Sequence, residues 1–120
     1  MKIYYLLLIG IIFIAGCTKT TVVPTQTTQA IPPGMFYFHS STCQHCALVN
    51  SYIEANNVKQ KIFFVSQEIN SNKEAYSLIQ VVGKQCGISE TNLAVPLFWD
   101  GTTCYLGDEN IIAFFKSKTQ

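Results

Sequence analysis

The sequence predicts an α/β domain with a four-stranded mixed sheet, whose elements follow the order strand, helix, strand, helix, strand, strand, helix. Two short apolar runs, residues 35–39 and 61–66, are separated by a helical pattern, which is typical of a parallel βαβ unit. Further along the chain, the pair Asp100-Gly101 lies between two apolar runs and predicts an antiparallel hairpin. Parallel and antiparallel pairing are therefore both expected.

The first βαβ unit begins with a buried strand over residues 35–39. Ser40 or Thr42 is expected to cap the following helix, which should end at the pair 56–57. One stripe of this helix carries the apolar side chains Cys46, Val49 and Ile53. The second strand, over residues 61–66, is also expected to be buried.

The second half of the domain is predicted to open with a helix capped by Asn70 or Ser71, with Glu74 completing a capping box. Its apolar face consists of Ala75, Leu78, Ile79 and Val82. Residues 95–99 and 102–106 then form the hairpin strands around a two-residue turn. The last helix is expected to begin with Asp108 as its cap.

Three segments divide the 120 residues: a lipoprotein signal peptide at 1–16, a lipidated cysteine with a Thr/Pro-rich tether at 17–34, and one domain at 35–118. The uncharged apolar run near the N-terminus is shorter than the roughly 20 residues of a membrane-spanning helix. Its end, Ile14-Ala15-Gly16-Cys17, resembles the lipobox of bacterial lipoproteins.

Acylation of Cys17 would attach the protein to a lipid bilayer in the cell envelope, facing the periplasm or the cell exterior. Two alternatives remain open for this segment. It is also consistent with an ordinary cleaved signal in which Cys17 is incidental, or with an uncleaved N-terminal anchor.

The charge balance argues against a nucleic-acid partner. Seven lysines and seven acidic residues remain after residues 1–16, and the chain contains no arginine. No charge asymmetry therefore points to nucleic acid, and the side chain best suited to bidentate phosphate recognition is absent.

The motif Cys43-Gln44-His45-Cys46 directly follows the first strand and opens the first helix. Unpaired backbone N–H groups and the helix dipole favour negative charge on Cys43 there, so its thiol should ionise easily. This predicts a redox disulfide. The alternative is a copper or zinc module that uses Cys43, Cys46 and either His39 or His45; the redox hypothesis needs neither metal nor cofactor.

The order of elements, the C-x-x-C pair and the dipeptide Val95-Pro96 at the third strand together resemble the thioredoxin superfamily, and in compactness the glutaredoxins. The resemblance covers residues 35–118. It implies a thioredoxin-like sheet with helices on both faces and a cis Pro96 lying against the redox pair. Proline at a strand start is also tolerated for purely structural reasons.

By this resemblance, Cys43 is the nucleophile, Cys46 is the resolving thiol, and the backbone at Val95 and Pro96 binds an extended substrate segment. His45 resembles the residue before the second cysteine in strong oxidants and isomerases, which favours oxidase or isomerase activity. Alternatively, His45 is an exposed polar residue without a tuning role. The partners implied are thiols and disulfides of exported proteins and a membrane or envelope redox partner.

Other residues at the expected site depart from the relatives. The Thr that usually precedes Val-Pro in glutaredoxins is replaced by Ala94, and their double glycine is missing before Asp108, which argues against glutathione use. Glu68 is the candidate for the buried acid that assists resolution in thioredoxins. A non-catalytic adaptor is the third functional alternative.

The four cysteines that remain besides Cys17 form an even set, which in an exported protein suggests two disulfides. Adjacency assigns Cys43 to Cys46, which leaves Cys86 and Cys104 as a structural bridge. They are expected to meet at the edge of the sheet far from the redox pair. The alternative is that they are two separate buried thiols.

Overall fold

A computed structural model of the chain describes residues 29–120. Its elements are β1 (Phe36–His39), α1 (Gln44–Ala55), α2 (Val58–Lys61), β2 (Val65–Glu68), α3 (Lys73–Gln85), a 3-10 turn (Glu90–Asn92), β3 (Leu97–Trp99), β4 (Cys104–Leu106) and α4 (Asp108–Thr119). The predicted signal peptide, lipidated Cys17 and most of the tether lie outside the described residues. Within residues 29–120, no helix is long and apolar enough to span a bilayer.

The four strands form one mixed sheet in the order β2-β1-β3-β4. β1 is parallel to β2 and antiparallel to β3, and β4 is antiparallel to β3. The predicted α/β class, the parallel βαβ unit and the antiparallel hairpin are all confirmed.

Alternating side chains of the central strands point to opposite faces of the sheet, so helices cover both sides. On one face, Tyr37 and Phe98 pack against α1 and α4 in a cluster rich in aromatic rings. Their partners there are Val49, Ile53, Val58, Phe64, Ile111, Phe114 and Phe115.

On the other face, the neighbouring residues of β1 and β3 pack against α3. This second cluster consists of Phe36, Phe38, Leu78, Ile79, Val82, Leu97 and Trp99. The predicted apolar face of α3 is confirmed, because all four of its residues are buried. Ile31, upstream of β1, packs against the same cluster.

The second strand differs from the prediction. Residues 58–61 form the short helix α2, and β2 starts only at Val65, opposite Phe36. β2 is an edge strand with β1 as its single neighbour, so it does not need apolar side chains on both faces. The apolar run before it is divided: Phe64 enters the core, whereas Phe63 is 84% exposed.

The helix caps also differ from the prediction. Cys43 itself occupies the N-cap of α1, and Asn72 caps α3 by accepting a hydrogen bond from the N–H of Ala75. Glu74 therefore stands one position too early to complete a capping box. At α4 the N-cap is Gly107, and Asp108 is the first helical residue.

The hairpin loop has four residues instead of two, because Trp99 pairs with Cys104. The Asp100 carboxylate accepts hydrogen bonds from the N–H groups of Thr102 (2.9 Å) and Thr103 (2.7 Å). Such side-chain bonds offer the backbone an alternative to a tight two-residue turn.

Candidate active site

The redox motif lies where β1 ends and α1 begins. Cys43 and Cys46 form a disulfide with their Cα atoms 5.2 Å apart. Cys43 is partly exposed, whereas Cys46 is fully buried. Only the sulfur of Cys43 is therefore presented to a reaction partner.

Cys43 occupies an N-cap position, and this placement determines the electrostatics at its sulfur. The backbone N–H of Cys46 donates a hydrogen bond to Cys43 Sγ over 3.0 Å. The positive end of the α1 dipole lies at the same point. Both effects stabilise negative charge on Cys43.

The Val95–Pro96 segment lies directly against this sulfur. The peptide bond before Pro96 is cis, and the carbonyl oxygen of Val95 lies 3.6 Å from Cys43 Sγ. Pro96 is fully buried, and its carbonyl accepts a hydrogen bond of 3.0 Å from the N–H of Gly107. The structure thus brings together the motif residues that the sequence had separated by about 50 positions.

The loop that carries Cys43 is held from behind by polar contacts. The buried Ser40 hydroxyl accepts hydrogen bonds from Asn70 Nδ2 (2.7 Å) and from the N–H of Thr42 (3.3 Å). The carbonyl of Ser40 accepts from the N–H of Cys43. The turn between β1 and α1 is therefore fixed to the segment that precedes α3.

Glu68 supports the same loop from its surface side. Its carboxylate accepts hydrogen bonds from the hydroxyl and N–H of Ser71 and from the N–H of Ser41. These bonds, with Ser71 contributing most, lower the pKa of Glu68 to about 2. A carboxylate that stays ionised in this way does not suit the role of a buried acid that exchanges protons. Glu68 instead holds the loop before Cys43 by hydrogen bonds.

The two histidines occupy different environments. His39 at the end of β1 stacks on the Tyr37 ring with centroids 5.2 Å apart. Burial lowers the pKa of His39, although the charge of Glu68 opposes that effect. His45 is exposed, and its Nδ1 lies 2.9 Å from Oδ1 of Asp108 at the start of α4.

Three contributors to the site were not foreseen from the sequence. Tyr37 donates a hydrogen bond from its hydroxyl to the carbonyl of Cys46 (3.3 Å), Ser40 anchors the loop, and Asp108 holds His45. The contacts of Ser40 with Asn70 and of Asp108 with His45 join distant parts of the chain. Only a buried tyrosine in the strand preceding the motif offered a signal, since such a hydroxyl needs a partner.

The arrangement of side chains does not support the alternative of a copper or zinc module. Within the described part of the chain, no three side chains of His, Cys, Asp or Glu cluster in a way that could hold a metal ion. His45 is bonded to Asp108, and His39 is stacked on Tyr37.

Cys86 and Cys104 form the second disulfide, with their Cα atoms 6.1 Å apart. Cys86 caps the C-terminus of α3, and Cys104 is the first residue of β4. Cys104 pairs with Trp99, which in turn pairs with Phe36 at the start of β1. The bridge therefore lies at the end of the sheet opposite to the redox pair.

Among solved structures, the chain is similar to a wheat glutaredoxin, with 15% identity and a TM-score of 0.50 over 72% of this chain and 73% of that chain. The fold is thioredoxin-like. A buckwheat glutaredoxin in complex with glutathione gives 11% identity and a TM-score of 0.49, covering 70% and 69% of the two chains. Glutaredoxin 2 from Chlamydomonas reinhardtii gives 10% and 0.48, covering 72% and 74%. No protein-family model and no curated protein matches the sequence.

The thioredoxin-like fold accounts for the positions of the motifs in this chain. The carboxyl end of β1, the start of β3 and the end of β4 meet at one edge of the sheet, because β3 is antiparallel to both neighbours. That edge carries the redox motif, the Val95–Pro96 peptide and the Gly107–Asp108 junction.

Proposed function

We propose that the protein is a membrane-tethered thiol–disulfide oxidoreductase that exchanges disulfides with exported proteins and works mainly as an oxidase or isomerase. One observation carries this proposal. A partly exposed Cys43 at a helix N-cap accepts the N–H of a fully buried Cys46, with which it forms a disulfide. This is the asymmetry that separates an attacking cysteine from a resolving one.

In the oxidising direction, a substrate thiolate attacks Cys43 Sγ. A bond forms between the substrate sulfur and Cys43, the bond between Cys43 and Cys46 breaks, and Cys46 leaves with the electron pair as a thiolate. A second substrate thiolate then attacks the substrate sulfur of this mixed disulfide and releases Cys43 as a thiolate. The substrate dithiol has lost two electrons, and the cysteine pair has gained them.

The surroundings of Cys43 favour its departure as a thiolate. The N–H of Cys46 donates a hydrogen bond to Cys43 Sγ at the positive end of the α1 dipole, and this stabilises negative charge on the sulfur. Because stabilisation of the reduced state makes the disulfide a stronger oxidant, this arrangement favours the oxidising direction. A membrane or envelope redox partner must then reoxidise the pair, taking away its two electrons.

The backbone before Pro96 is suited to hold the substrate. β3 begins at Leu97, so the peptide groups of Val95 lie beyond the pairing of the sheet. An extended segment can add there through main-chain hydrogen bonds, with its sulfur directed at Cys43. Flexible or unfolded exported proteins offer such segments, and they are the proposed substrates.

The proposal is tested by the oxidation of a reduced, unfolded disulfide-containing protein, with the full chain solubilised in a mild detergent. Cys43→Ala should reduce the rate of oxidation to the uncatalysed level. Cys46→Ala, incubated instead with the same substrate protein in its disulfide-bonded form, should accumulate a mixed disulfide on Cys43 that is visible on a non-reducing gel, because the Cys43 thiolate attacks the substrate disulfide and no resolving thiol follows. The matched control is the double variant Cys86→Ala/Cys104→Ala, which should retain exchange. Oxidation at the uncatalysed rate with the unsubstituted protein would favour the adaptor alternative, and an unchanged catalysed rate in Cys43→Ala would contradict the proposal.

The proposed membrane tether rests on the lipobox-like residues before Cys17 and has its own measurement. Intact mass spectrometry of the detergent-extracted protein should show loss of residues 1–16 and an added lipid on Cys17. Cys17→Ser should lack the lipid. If the unsubstituted protein carries no adduct, Cys17 is incidental and the anchor proposal is wrong.

A further inference from the structure

We infer that Asp108 is a positioning residue for the redox pair, acting through His45 to set the reduction potential of the Cys43–Cys46 disulfide. The inference rests on the proposed function and concerns a residue 63 positions away from its partner. Asp108 is the first residue of α4, and His45 is the second residue of α1.

The contact between these two residues is well defined. His45 Nδ1 lies 2.9 Å from Asp108 Oδ1, within the range of a charge-assisted hydrogen bond. The His45 side chain is 71% exposed, whereas that of Asp108 is only 19% exposed. The carboxylate is therefore the fixed member of the pair, and without it an exposed ring would be free to rotate into solvent.

Packing of the two helices holds the contact in place. α4 buries Ile111, Phe114 and Phe115 in the same cluster that receives Val49 and Ile53 of α1. The N-termini of both helices are thereby brought to the same edge of the sheet. Small relative movements of α1 and α4 would be resisted by these aromatic contacts.

The residue before Asp108 connects this contact to the other half of the site. Gly107 donates its N–H to the carbonyl of Pro96 over 3.0 Å. One short junction between β4 and α4 therefore holds both the peptide that faces Cys43 and the histidine within the redox motif. This double attachment distinguishes Asp108 from an ordinary acidic residue in a first helical turn.

The bond has a defined chemical consequence. With Nδ1 directed at the carboxylate, the orientation of the ring is fixed, and Nε2 is the nitrogen left for other interactions. His45 lies in the same first turn of α1 as Cys43, so a ring held in one orientation gives a constant electrostatic field at Cys43, whereas the field of a freely rotating ring is averaged and screened by water. Loss of Asp108 should therefore destabilise the thiolate and make the pair a weaker oxidant.

The test is a double-mutant cycle on the reduction potential, measured by glutathione equilibration of the full chain. Asp108→Ala should shift the equilibrium constant about threefold towards the disulfide, or about 15 mV, in the same direction as His45→Ala. Adding Asp108→Ala to His45→Ala should cause no further shift. Asp108→Asn should restore most of the potential, because an amide oxygen still accepts from Nδ1.

The matched control is Glu109→Ala, which removes one negative charge from the same helical turn and should leave the potential unchanged. A potential that rises in Asp108→Ala, or that shifts equally with and without His45, would show direct charge repulsion and overturn the inference. A wild-type potential in Asp108→Ala would overturn it too. If the unsubstituted pair does not exchange with glutathione or protein thiols at all, the proposed function itself fails.

Discussion

Glu68 connects the loop before Cys43 to the segment before α3 through hydrogen bonds to Ser41 and Ser71. Its folded-state pKa of about 2 lies below the ordinary value of 4.5. The stability that it contributes is therefore present above about pH 4.5 and is lost as the pH falls towards 2.

Glu68→Gln should consequently lower the melting temperature at pH 7, and the difference from wild type should shrink as the pH approaches 2. Circular dichroism melting curves over this pH range would measure it. Glu54→Gln, which neutralises an exposed acid on α1, is the control and should show a smaller effect at pH 7. A deficit in Glu68→Gln that is constant with pH would contradict the assigned role.

At the level of single residues, the sequence indicated the local chemistry better than the long-range contacts. The disulfide between Cys43 and Cys46 and the cis peptide bond before Pro96 were predictable from short motifs and the resemblance that they carry. The bond from His45 to Asp108 was not, because it depends on how α1 docks on α4. Asp108 was expected as a cap, and only the fold gives it a different partner.

The junction between β4 and α4 depends on glycine. Gly107 has φ +86° and ψ 157°, a backbone conformation that is essentially restricted to glycine. Apart from Gly107 itself and its two chain neighbours, no atom of residues 29–120 lies within 4 Å of the position that a Cβ would occupy, so the restriction comes from the backbone conformation.

Gly107→Ala should lower the free energy of unfolding by about 1–3 kcal/mol and should also slow disulfide exchange, because the N–H to Pro96 is disturbed. Urea unfolding and the exchange rate would be measured together. The control is Ala113→Gly, at an exposed position in the middle of α4. It should lower the free energy of unfolding by about 1 kcal/mol without slowing exchange. Equal slowing in both variants would indicate a general effect of stability.

Element boundaries were predictable only where burial decided them. β1 and β3 were placed correctly to within two residues because they are uninterrupted apolar runs, and the apolar stripe of α3 was correct because it follows a helical period. β2 was placed about four residues early, because an edge strand with polar side chains such as Ser66 and Gln67 does not differ in pattern from a loop. The hairpin loop was mispredicted because the Asp100 carboxylate binds the turn backbone.

On the scale of the whole molecule, the two disulfides occupy opposite ends of the sheet and should be energetically independent. Cys86 and Cys104 are 18 positions apart in the sequence, so their disulfide closes a loop of that length. Removing this bridge should lower the free energy of unfolding by about 3 kcal/mol in the chain-entropy model. That is a large fraction of the free energy of unfolding of a typical domain, which is roughly 5–15 kcal/mol.

Urea unfolding of Cys86→Ala/Cys104→Ala, compared with the wild type under non-reducing conditions, should show this decrease, while the reduction potential of the Cys43–Cys46 pair stays unchanged. Two reactive thiols in the denatured wild-type protein, assigned to Cys86 and Cys104 by peptide mapping, would contradict the bridge. They would favour the alternative of separate buried thiols.

The overall architecture could be predicted because the order of apolar runs and turn residues permits few topologies. Burial of both faces of β1 and β3 then follows from their uninterrupted apolar sequences. The assignment of the first 28 residues stays a prediction, since they lie outside the described part of the chain.

The position of Ile31 shows at which end of the domain the upstream chain joins it. Ile31 and Trp99 line the same surface cavity near the start of β1, whereas Cys43 follows the end of β1. The upstream chain thus enters at the rear of the domain. If Cys17 is lipidated as proposed, we expect the membrane to lie beyond the end of the sheet opposite to Cys43. The proposed substrate would then reach Cys43 from the side of the domain that faces away from the bilayer.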